Sequence, residues 1–395
     1  MESNIDSQEN PSRSFLLSAG EASGDTYGAQ LVSSLKQLLS SVDFFGMGGE
    51  KMQAAGCELL VNARDVAVVG LTEVLTHLPG IHRRFRGLVA EASQRKPSAA
   101  VLIDFPDFNL RLAKALHERN IPVFYFVSPQ VWAWRSGRVK QIQRYIRKMI
   151  VIFPFEREFY RKHGVDVSYV GHPLAHMLVP QVSRADFASQ WQLDPDKEWI
   201  ALLPGSRRKE VRMNLSAMLQ AAQTLGDGYE YVLPVASTIA QEWLRREIGD
   251  QGAGPAVKLT NSSRVTLQHA RAAAVASGTA TVEAALAGTP FVAVYRVAPL
   301  TWLTGRWLVK LDTFAMPNLI AGEKIVTELI QHNFTAENVL RELRAIIPEG
   351  QARQKMIAEL GQVREALRDR TSSEEPAWRA AKEILASLDI SVKTY

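Results

Sequence analysis

Two α/β domains, each a parallel sheet covered by helices on both faces, are what this sequence predicts. Short apolar runs alternate with helical sequence along most of the 395 residues, which implies parallel strands joined by crossovers. The alternation lapses between about Ala175 and Glu198, a mixed polar stretch with Pro180 and Pro195, and then resumes, so the chain reads as two halves joined by a linker. From about Thr335 onward it reads as helical and charged. The expected organisation is a disordered tail over 1–13, a first domain over 14–180, a second over 190–334, and C-terminal helices over 335–395 that pack across domains or subunits. Two facing halves would leave a central cleft. Whether the tail folds back on its own first half or exchanges within a homodimer is left open.

The elements follow in order. "SFLLSAG" (14–20) is a buried strand, and "DTYGAQLVSSLKQLL" (25–39) has the three-to-four spacing of a helix. "VDFFGMGG" repeats the strand-then-glycine pattern, and "PSAAVLIDFPDFN" (97–109) ends a strand at Asp104. "IPVFYFVSP", "MIVIFP" (149–154) and "VSYVGHP" (167–173) complete the first series. The second holds "WIALLPGS" (199–206), "YEYVLPVA" (229–236), "AVKLT" (256–260), "AAAVAS" (272–277) and "TPFVAVYR" (289–296).

Bulk properties narrow the function class. A hydrophobic content of 46% and a charged content of 22% are ordinary globular values. The longest uncharged apolar stretches contain Pro and fall short of the roughly 18 residues needed to span a bilayer. The first fourteen residues lack the apolar core of a secretory signal. With Cys57 the only cysteine, an internal disulfide is impossible and a reducing, cytoplasmic compartment fits. The net charge is +5, and Arg135 to Lys148 holds six cations and no acid. Such a stripe suits nucleic acid, anionic lipid or a phosphorylated substrate.

Chemistry-bearing residues cluster at strand ends. In "LLPGSRRKEV" (202–211) a strand end meets a helix start, where free N–H groups of Gly205, Ser206 and Arg207 beside a guanidinium would seat a phosphate. The same residues also read as a solvated basic helix start. "SGTATVEAALAGTP" (277–290) offers a second seat at Ser277, Gly278, Thr279 and Ala280, with Glu283 one turn on to accept from sugar hydroxyls. Close packing of an Ala-rich helix is the alternative there. Taken together, the two turns suggest a diphosphate clamp built without a metal cluster, with Arg207 as its cation and Arg208 and Lys209 facing water.

In the first half, "GEASGDTYG" (20–28) spaces its glycines G-x₃-G-x₃-G and fails the dinucleotide fingerprint, so no NAD cofactor is expected. Asp25 reads as a helix cap, and Glu21 stands where open α/β sheets place ligands. In "DFPDFN", Asp107 reads as a cap, which leaves Asp104 favoured as general base, with His172 and His269 as competitors. Trp132, Trp134 and Arg135, with the apolar-basic stretches 66–86 and 300–310, suit an amphiphile or a membrane surface; no RNA-binding motif supports nucleic acid.

The ordered set "GEASGD", "GMGG", "DFPDFN", "SPQVWAWR", "GHP", "LLPGSR", "SGTATVEAAL" and "MPNLIAG" resembles the bacterial lipid-A-disaccharide synthase family over residues 14 to 330. "PGSR" with "SGTAT.E" is also similar to two-domain GT-B glycosyltransferases with Rossmann-like halves. The resemblance implies a cytoplasmic enzyme associated peripherally with the anionic inner leaflet. It would join UDP-2,3-diacylglucosamine to 2,3-diacylglucosamine 1-phosphate (lipid X), inverting the anomeric centre and releasing UDP. It further implies that Glu21 and Asn318 line the active site and that Glu283 holds the uridine ribose; Asn318 reads equally as a turn residue after Pro317. A UDP-sugar epimerase and a non-catalytic nucleotide-binding membrane module are the competing readings.

Overall fold

The computed structural model describes residues 13–66, 71–132, 137–177, 179–252, 254–296, 313–368 and 374–392, with 71–78 as backbone only. The expected tail, apart from Arg13, lies outside these residues, as do Trp134, Arg135 and the stretch 300–310. The chain divides into two compact units, Met1–Pro173 with Thr371–Tyr395, and Leu174–Arg370.

In the first unit the order is β1 (Arg13–Ala19), α1 (Ala22–Leu38), β2 (Val42–Gly48), α2 (Glu50–Ala54), β3 (Glu58–Asn62), α3 (Leu71–Arg95), β4 (Ala99–Ile103), α4 (Pro106–His117), β5 (Val123–Phe126), α5 (Gly137–Tyr145), β6 (Lys148–Val151), α6 (Pro154–Lys162) and β7 (Val167–Tyr169). All its strand pairs are parallel, in the order β3-β2-β1-β4-β5-β6-β7. Successive residues of a strand serve opposite faces. Leu16, Leu102 and Tyr125 join the core under α3, α4 and α5, while Phe15, Leu17, Val101, Ile103 and Phe124 join the core under α1. Burial on both faces explains why these strands read as continuous apolar runs rather than alternating ones.

A single turn, α7 (Pro173–His176), marks the passage between units, and the second unit continues with α8 (Arg184–Trp191) and β8 (Glu198–Leu203). Next come α9 (Arg208–Leu225), β9 (Tyr229–Pro234), α10 (Gln241–Gly249), β10 (Val257–Thr260), α11 (Ser263–His269), β11 (Ala272–Ala276), α12 (Thr279–Ala287) and β12 (Phe291–Tyr295). After these come α13 (Met316–Ala321), β13 (Glu328–Ile330), α14 (Ala336–Ile346) and α15 (Gln351–Leu367). This sheet is also parallel, in the order β10-β9-β8-β11-β12-β13.

Two features depart from the sequence reading, and a third bears on a point it left open. The polar stretch read as a linker contains α8, whose Phe187 and Ala188 bury against Trp199 and Val232. β3 and β13 are additional strands at sheet edges, short and half-exposed, so their apolar signal is diluted. The last helix, α16 (Pro376–Ser387), returns to the first unit and lays Ala380, Ala381, Ile384 and Leu385 on the α1 core. Burying Ile384 and Leu385 contributes roughly 1.5–3 kcal/mol each. That outweighs the exposed ion pair from Lys382 of this helix to Glu374 ahead of it, of the order of 0.5 kcal/mol.

β2 carries an irregularity between Gly46 and Met47, where its register with β3 shifts. Gly46 has φ +148°, and a side chain there would meet the Leu17 carbonyl oxygen at 1.9 Å. The backbone conformation alone costs an ordinary residue about 1–3 kcal/mol, before any displacement of β1. Gly46→Ala should therefore lower unfolding stability by about 2 kcal/mol or more, read as a lower urea midpoint; an unchanged midpoint would refute the account.

Candidate active site

In an open α/β sheet, ligands bind beyond the carboxyl ends of the strands where the strand order reverses, because adjacent connections there leave in opposite directions. In the first unit that point lies between β1 and β4. Glu21 follows β1 as the N-cap of α1, with extended backbone, and Asp104 follows β4. Both carboxylates picked from the sequence thus belong to one switch point. Asp104 and Phe105 have left-handed φ values of 47° and 50°, and α4 begins directly after them at Pro106. The Asp104 carbonyl accepts a hydrogen bond from the Tyr125 phenol at 2.6 Å and another from the Asn109 amide at 2.8 Å.

The neighbouring acids have other duties. Asp107 lies in the first turn of α4, not at its cap, is exposed, and pairs with Arg138. Asp25 lies inside α1 and accepts from the N–H groups of Gly49 (2.8 Å), Met52 (3.1 Å) and Lys51 (3.1 Å), so it caps α2 rather than its own helix. His172 follows the edge strand β7 and is buried with its ring 5.0 Å from that of Phe153. His269 has Nε2 2.9 Å from the Val182 carbonyl and packs against Phe187 and Trp199. A scaffold role accounts for His269, and His172 stands away from the switch point.

In the second unit the switch point lies between β8 and β11. The turns that follow these two strands are "PGSR" and "SGT", which open α9 and α12. Arg207 is the N-cap of α9 and is exposed with Ser206. Glu210, which sequence reasoning passed over, folds its carboxylate back onto this turn. Its Oε2 accepts from the N–H groups of Ser206 (3.1 Å) and Arg207 (3.3 Å), and its Oε1 lies 3.2 Å from Arg207 Nη1. Gly205 leaves room for that carboxylate, since a side chain there would meet Glu210 Oε2 at 2.7 Å. A glutamate three residues after an N-cap is the available sequence signal. Arg208 lies over the Trp243 ring at 5.2 Å, so it packs on α10 instead of simply facing water.

Across the switch point, Ser277 closes β11, and Gly278 precedes the first turn of α12, in which Thr279 is exposed and Ala280 partly so. The leading N–H groups of a helix have no intrahelical acceptor and carry the positive end of its dipole. Glu283 is partly buried; burial raises its pKa, opposed by the Ser263 hydroxyl and Arg264. At the tip of β12, Tyr295 stacks on Phe314 at 5.8 Å, and its pKa is raised by burial and then by Glu210, with Arg207 opposing.

Asn318, which the resemblance places at the active site, is fully buried, and both its amide nitrogen and its oxygen are hydrogen-bonded within the second unit. Its amide nitrogen donates to Val326 O (3.0 Å) and Glu328 Oε1 (2.7 Å), and its oxygen accepts from the N–H groups of Ile325 and Val326, each 2.9 Å. Glu328 in turn accepts from the N–H groups of Phe314 (2.8 Å) and Ala315 (3.1 Å). Phe314 O receives the Ser277 hydroxyl at 3.2 Å, so the "MPNLIAG" motif supports the second turn from behind.

Trp132, expected at an interface, is anchored inward. Its indole N–H donates to Glu156 at 3.2 Å, and its ring meets Phe155 edge-on at 5.0 Å. Burial pushes the Glu156 carboxyl up to about 8 despite hydrogen bonds from Trp132, Phe153, Ser128 and Ile152 that lower it. Exposed cations among the described residues include Lys140 and Arg144 on α5, Arg147 just after it, and Arg83 and Arg86 on α3. Among the described residues no group of three or more His, Cys, Asp or Glu could hold a metal ion, and no helix is long and apolar enough to cross a membrane.

Comparison with known proteins gives the family and the fold. A family model described as lipid-A-disaccharide synthetase matches residues 15–382. The lipid-A-disaccharide synthase of Koribacter versatilis (strain Ellin345) is 55% identical over 372 residues, 94% of this chain and 97% of the relative. Among solved structures, the UDP-GlcNAc 2-epimerase of Neisseria meningitidis bound to UDP-GlcNAc superposes with a TM-score of 0.63 at 12% identity, covering 95% of this chain and 99% of that one. The calicheamicin glycosyltransferase CalG4 does so with 0.60 at 16%, covering 96% and 99%. At such identities the two structures speak for the fold alone. With the family model spanning nearly the whole described chain, this protein belongs to the lipid-A-disaccharide synthetase family, glycosyltransferases of the GT-B fold.

Proposed function

We propose that the enzyme transfers 2,3-diacylglucosamine from UDP to the 6-hydroxyl of 2,3-diacylglucosamine 1-phosphate, giving the β-1,6-linked tetraacyl disaccharide 1-phosphate and UDP. The observation that carries this reading is the division of chemistry between the two switch points. One bears carboxylates, Glu21 and Asp104; the other bears two helix-opening turns and Arg207. In this mechanism Asp104 takes the proton of the acceptor hydroxyl as its oxygen bonds to the anomeric carbon. The bond from that carbon to the diphosphate breaks with inversion, and its electron pair leaves with UDP.

Charge accumulates on the departing diphosphate. Arg207 and the N–H groups at Gly205, Ser206, Gly278, Thr279 and Ala280 meet it more strongly in the transition state than in the ground state. Ser277 shapes the second turn, Glu283 accepts from the ribose hydroxyls, and Glu21 orients the sugars. Asn318 contributes through Glu328 and Phe314 rather than by contact. Arg207 must exchange Glu210 for the diphosphate, which makes Glu210 an internal competitor for the same groups.

The substrates carry acyl chains, so the reading includes work at the anionic cytoplasmic face of the inner membrane. Lys140, Arg144, Arg83 and Arg86 offer the electrostatic attraction, of the order of 1 kcal/mol per cation near such a surface.

The decisive experiment is mass spectrometry of products from defined diacyl donors and acceptor; absence of both disaccharide and UDP would defeat the proposal. Within it, Asp104→Asn should lower turnover by about 10² to 10⁴ with UDP affinity nearly intact. Full turnover in that variant would pass the role of base to Glu21.

Two substitutions on one turn should act in opposite directions. Arg207→Ala should cost about 2–4 kcal/mol of transition-state stabilisation in kcat/KM. Glu210→Gln should tighten UDP roughly five-fold by calorimetry, because about 1 kcal/mol of like-charge repulsion at a solvated site disappears. Weaker UDP binding in Glu210→Gln would show that the glutamate assists the cradle instead of competing for it.

Flotation with anionic vesicles tests the membrane component. The protein should rise with them at low salt and be released as salt screens the contact. Lys140→Glu with Arg144→Glu should abolish flotation. Equal flotation with neutral vesicles would exclude the electrostatic explanation.

A further inference from the structure

Two consecutive residues other than glycine in the left-handed region, Asp104 and Phe105, stand at the tip of β4. Such conformations persist only where surrounding structure dictates them, and an observed outlier of this kind points to function. Here the dictating groups are visible. The Asp104 carbonyl takes the Tyr125 phenol at 2.6 Å and Asn109 Nδ2 at 2.8 Å. The same Nδ2 lies 3.2 Å from Ile103 O and 3.1 Å from Ser18 O, and Asn109 Oδ1 receives the Ser18 hydroxyl at 2.6 Å. Ser18, Asn109 and Tyr125 are each completely buried. The network therefore joins β1, β4, β5 and α4 at the switch point. Gly20 completes it by absence: a side chain there would meet the Phe105 ring at 2.2 Å.

We infer that Asn109 and Tyr125 are positioning residues for the transfer reaction, acting through the Asp104 backbone to hold that carboxylate in its working geometry. The inference rests on the reading of Asp104 as the base. Neither residue needs to touch substrate. Released from its two donors, the Asp104–Phe105 turn relaxes toward ordinary backbone angles and carries the base away, and displacement of a reacting group by about 1 Å costs roughly 100-fold in rate.

The test is a double-mutant cycle. Tyr125→Phe removes a single donor and keeps the ring, so the unit should fold; circular dichroism and the melting transition check this. The expected result is a kcat lower by roughly 10- to 100-fold, with KM for both substrates and UDP affinity changed less than two-fold. In the Asp104→Asn background the same substitution should alter the residual rate less than two-fold, because it acts through the group already removed. Asn109→Ser, which shortens the other donor, should show the same dependence. An equal loss in both backgrounds would overturn the inference, as would unchanged kcat in folded Tyr125→Phe and Asn109→Ser. Full turnover in Asp104→Asn alone would instead defeat the base assignment, which keeps the two failures distinct.

Discussion

Parallel pairing of every strand in both sheets is the constraint on which the rest depends. A parallel pair cannot be closed by a hairpin; each connection must cross a face of the sheet and return, usually as a helix. Strands laid down on both sides of the first one force a reversal of order, at β1/β4 in one unit and β8/β11 in the other. At each reversal the two carboxyl-terminal loops leave toward opposite faces of the sheet. The chemistry-bearing loops "GE", "DFPDF", "PGSR" and "SGT" are the four segments that leave those four strand ends. Topology thus selects which loops can act, and the residue types within them decide how.

Electrostatics at these loops is arranged by competition as much as by attraction. An exposed arginine at a helix start would attract any anion, but Glu210 satisfies Arg207 and two backbone donors before a ligand arrives. The contact is at the surface, where an ion pair is worth about 0.2–1 kcal/mol, so a multiply charged diphosphate can displace it. Buried carboxyls follow the opposite logic. Glu156 is enclosed with several donors and still has its pKa raised to about 8, because burial dominates. It therefore suits an anchor for the Trp132 loop better than a charge offered to substrate. The lone thiol, Cys57, is likewise pushed up to about 12 by burial, which makes it inert near neutral pH.

Most of the architecture was legible because strands buried on both faces write long apolar runs, and because glycine and proline punctuate their ends. β3 and β13 escaped since an edge strand of three to five residues buries too little to stand out. α8 escaped because its helical signal is short and lies among prolines. Among the candidate site residues, the positions of Glu21, Asp104, Arg207 and the "SGT" turn at strand ends were legible from the sequence. Asp25 could not be assigned correctly: that its carboxylate caps α2 follows from a contact 24 to 27 residues away. Trp132 read as interfacial because tryptophan beside arginine looks the same whether the indole meets lipid or a buried glutamate.

Buried asparagines mark the deeper limit of sequence reading. Asn109, Asn214 and Asn318 all lie in helices, where an amide ordinarily signals solvent, yet all three are buried. Each holds nearby backbone: Asn109 the Asp104 carbonyl, Asn214 the Pro204 carbonyl at 2.8 Å, and Asn318 the Ile325–Val326 strand entry. Asn109 and Asn318 are bonded through both nitrogen and oxygen, whereas Asn214 is bonded through its nitrogen alone, its buried Oδ1 having no partner among the described residues. A buried amide left without partners costs about 1–3 kcal/mol per group, so the two satisfied ones enforce the backbone arrangement that satisfies them. The left-handed pair at Asp104 and Phe105 costs a similar amount per residue. Two hydrogen bonds to the Asp104 carbonyl, each contributing about 0.5–1.5 kcal/mol, offset a substantial part of that cost. A helical asparagine facing a strand tip is therefore a positional constraint on the loop beyond it, and only three-dimensional packing reveals which loop that is.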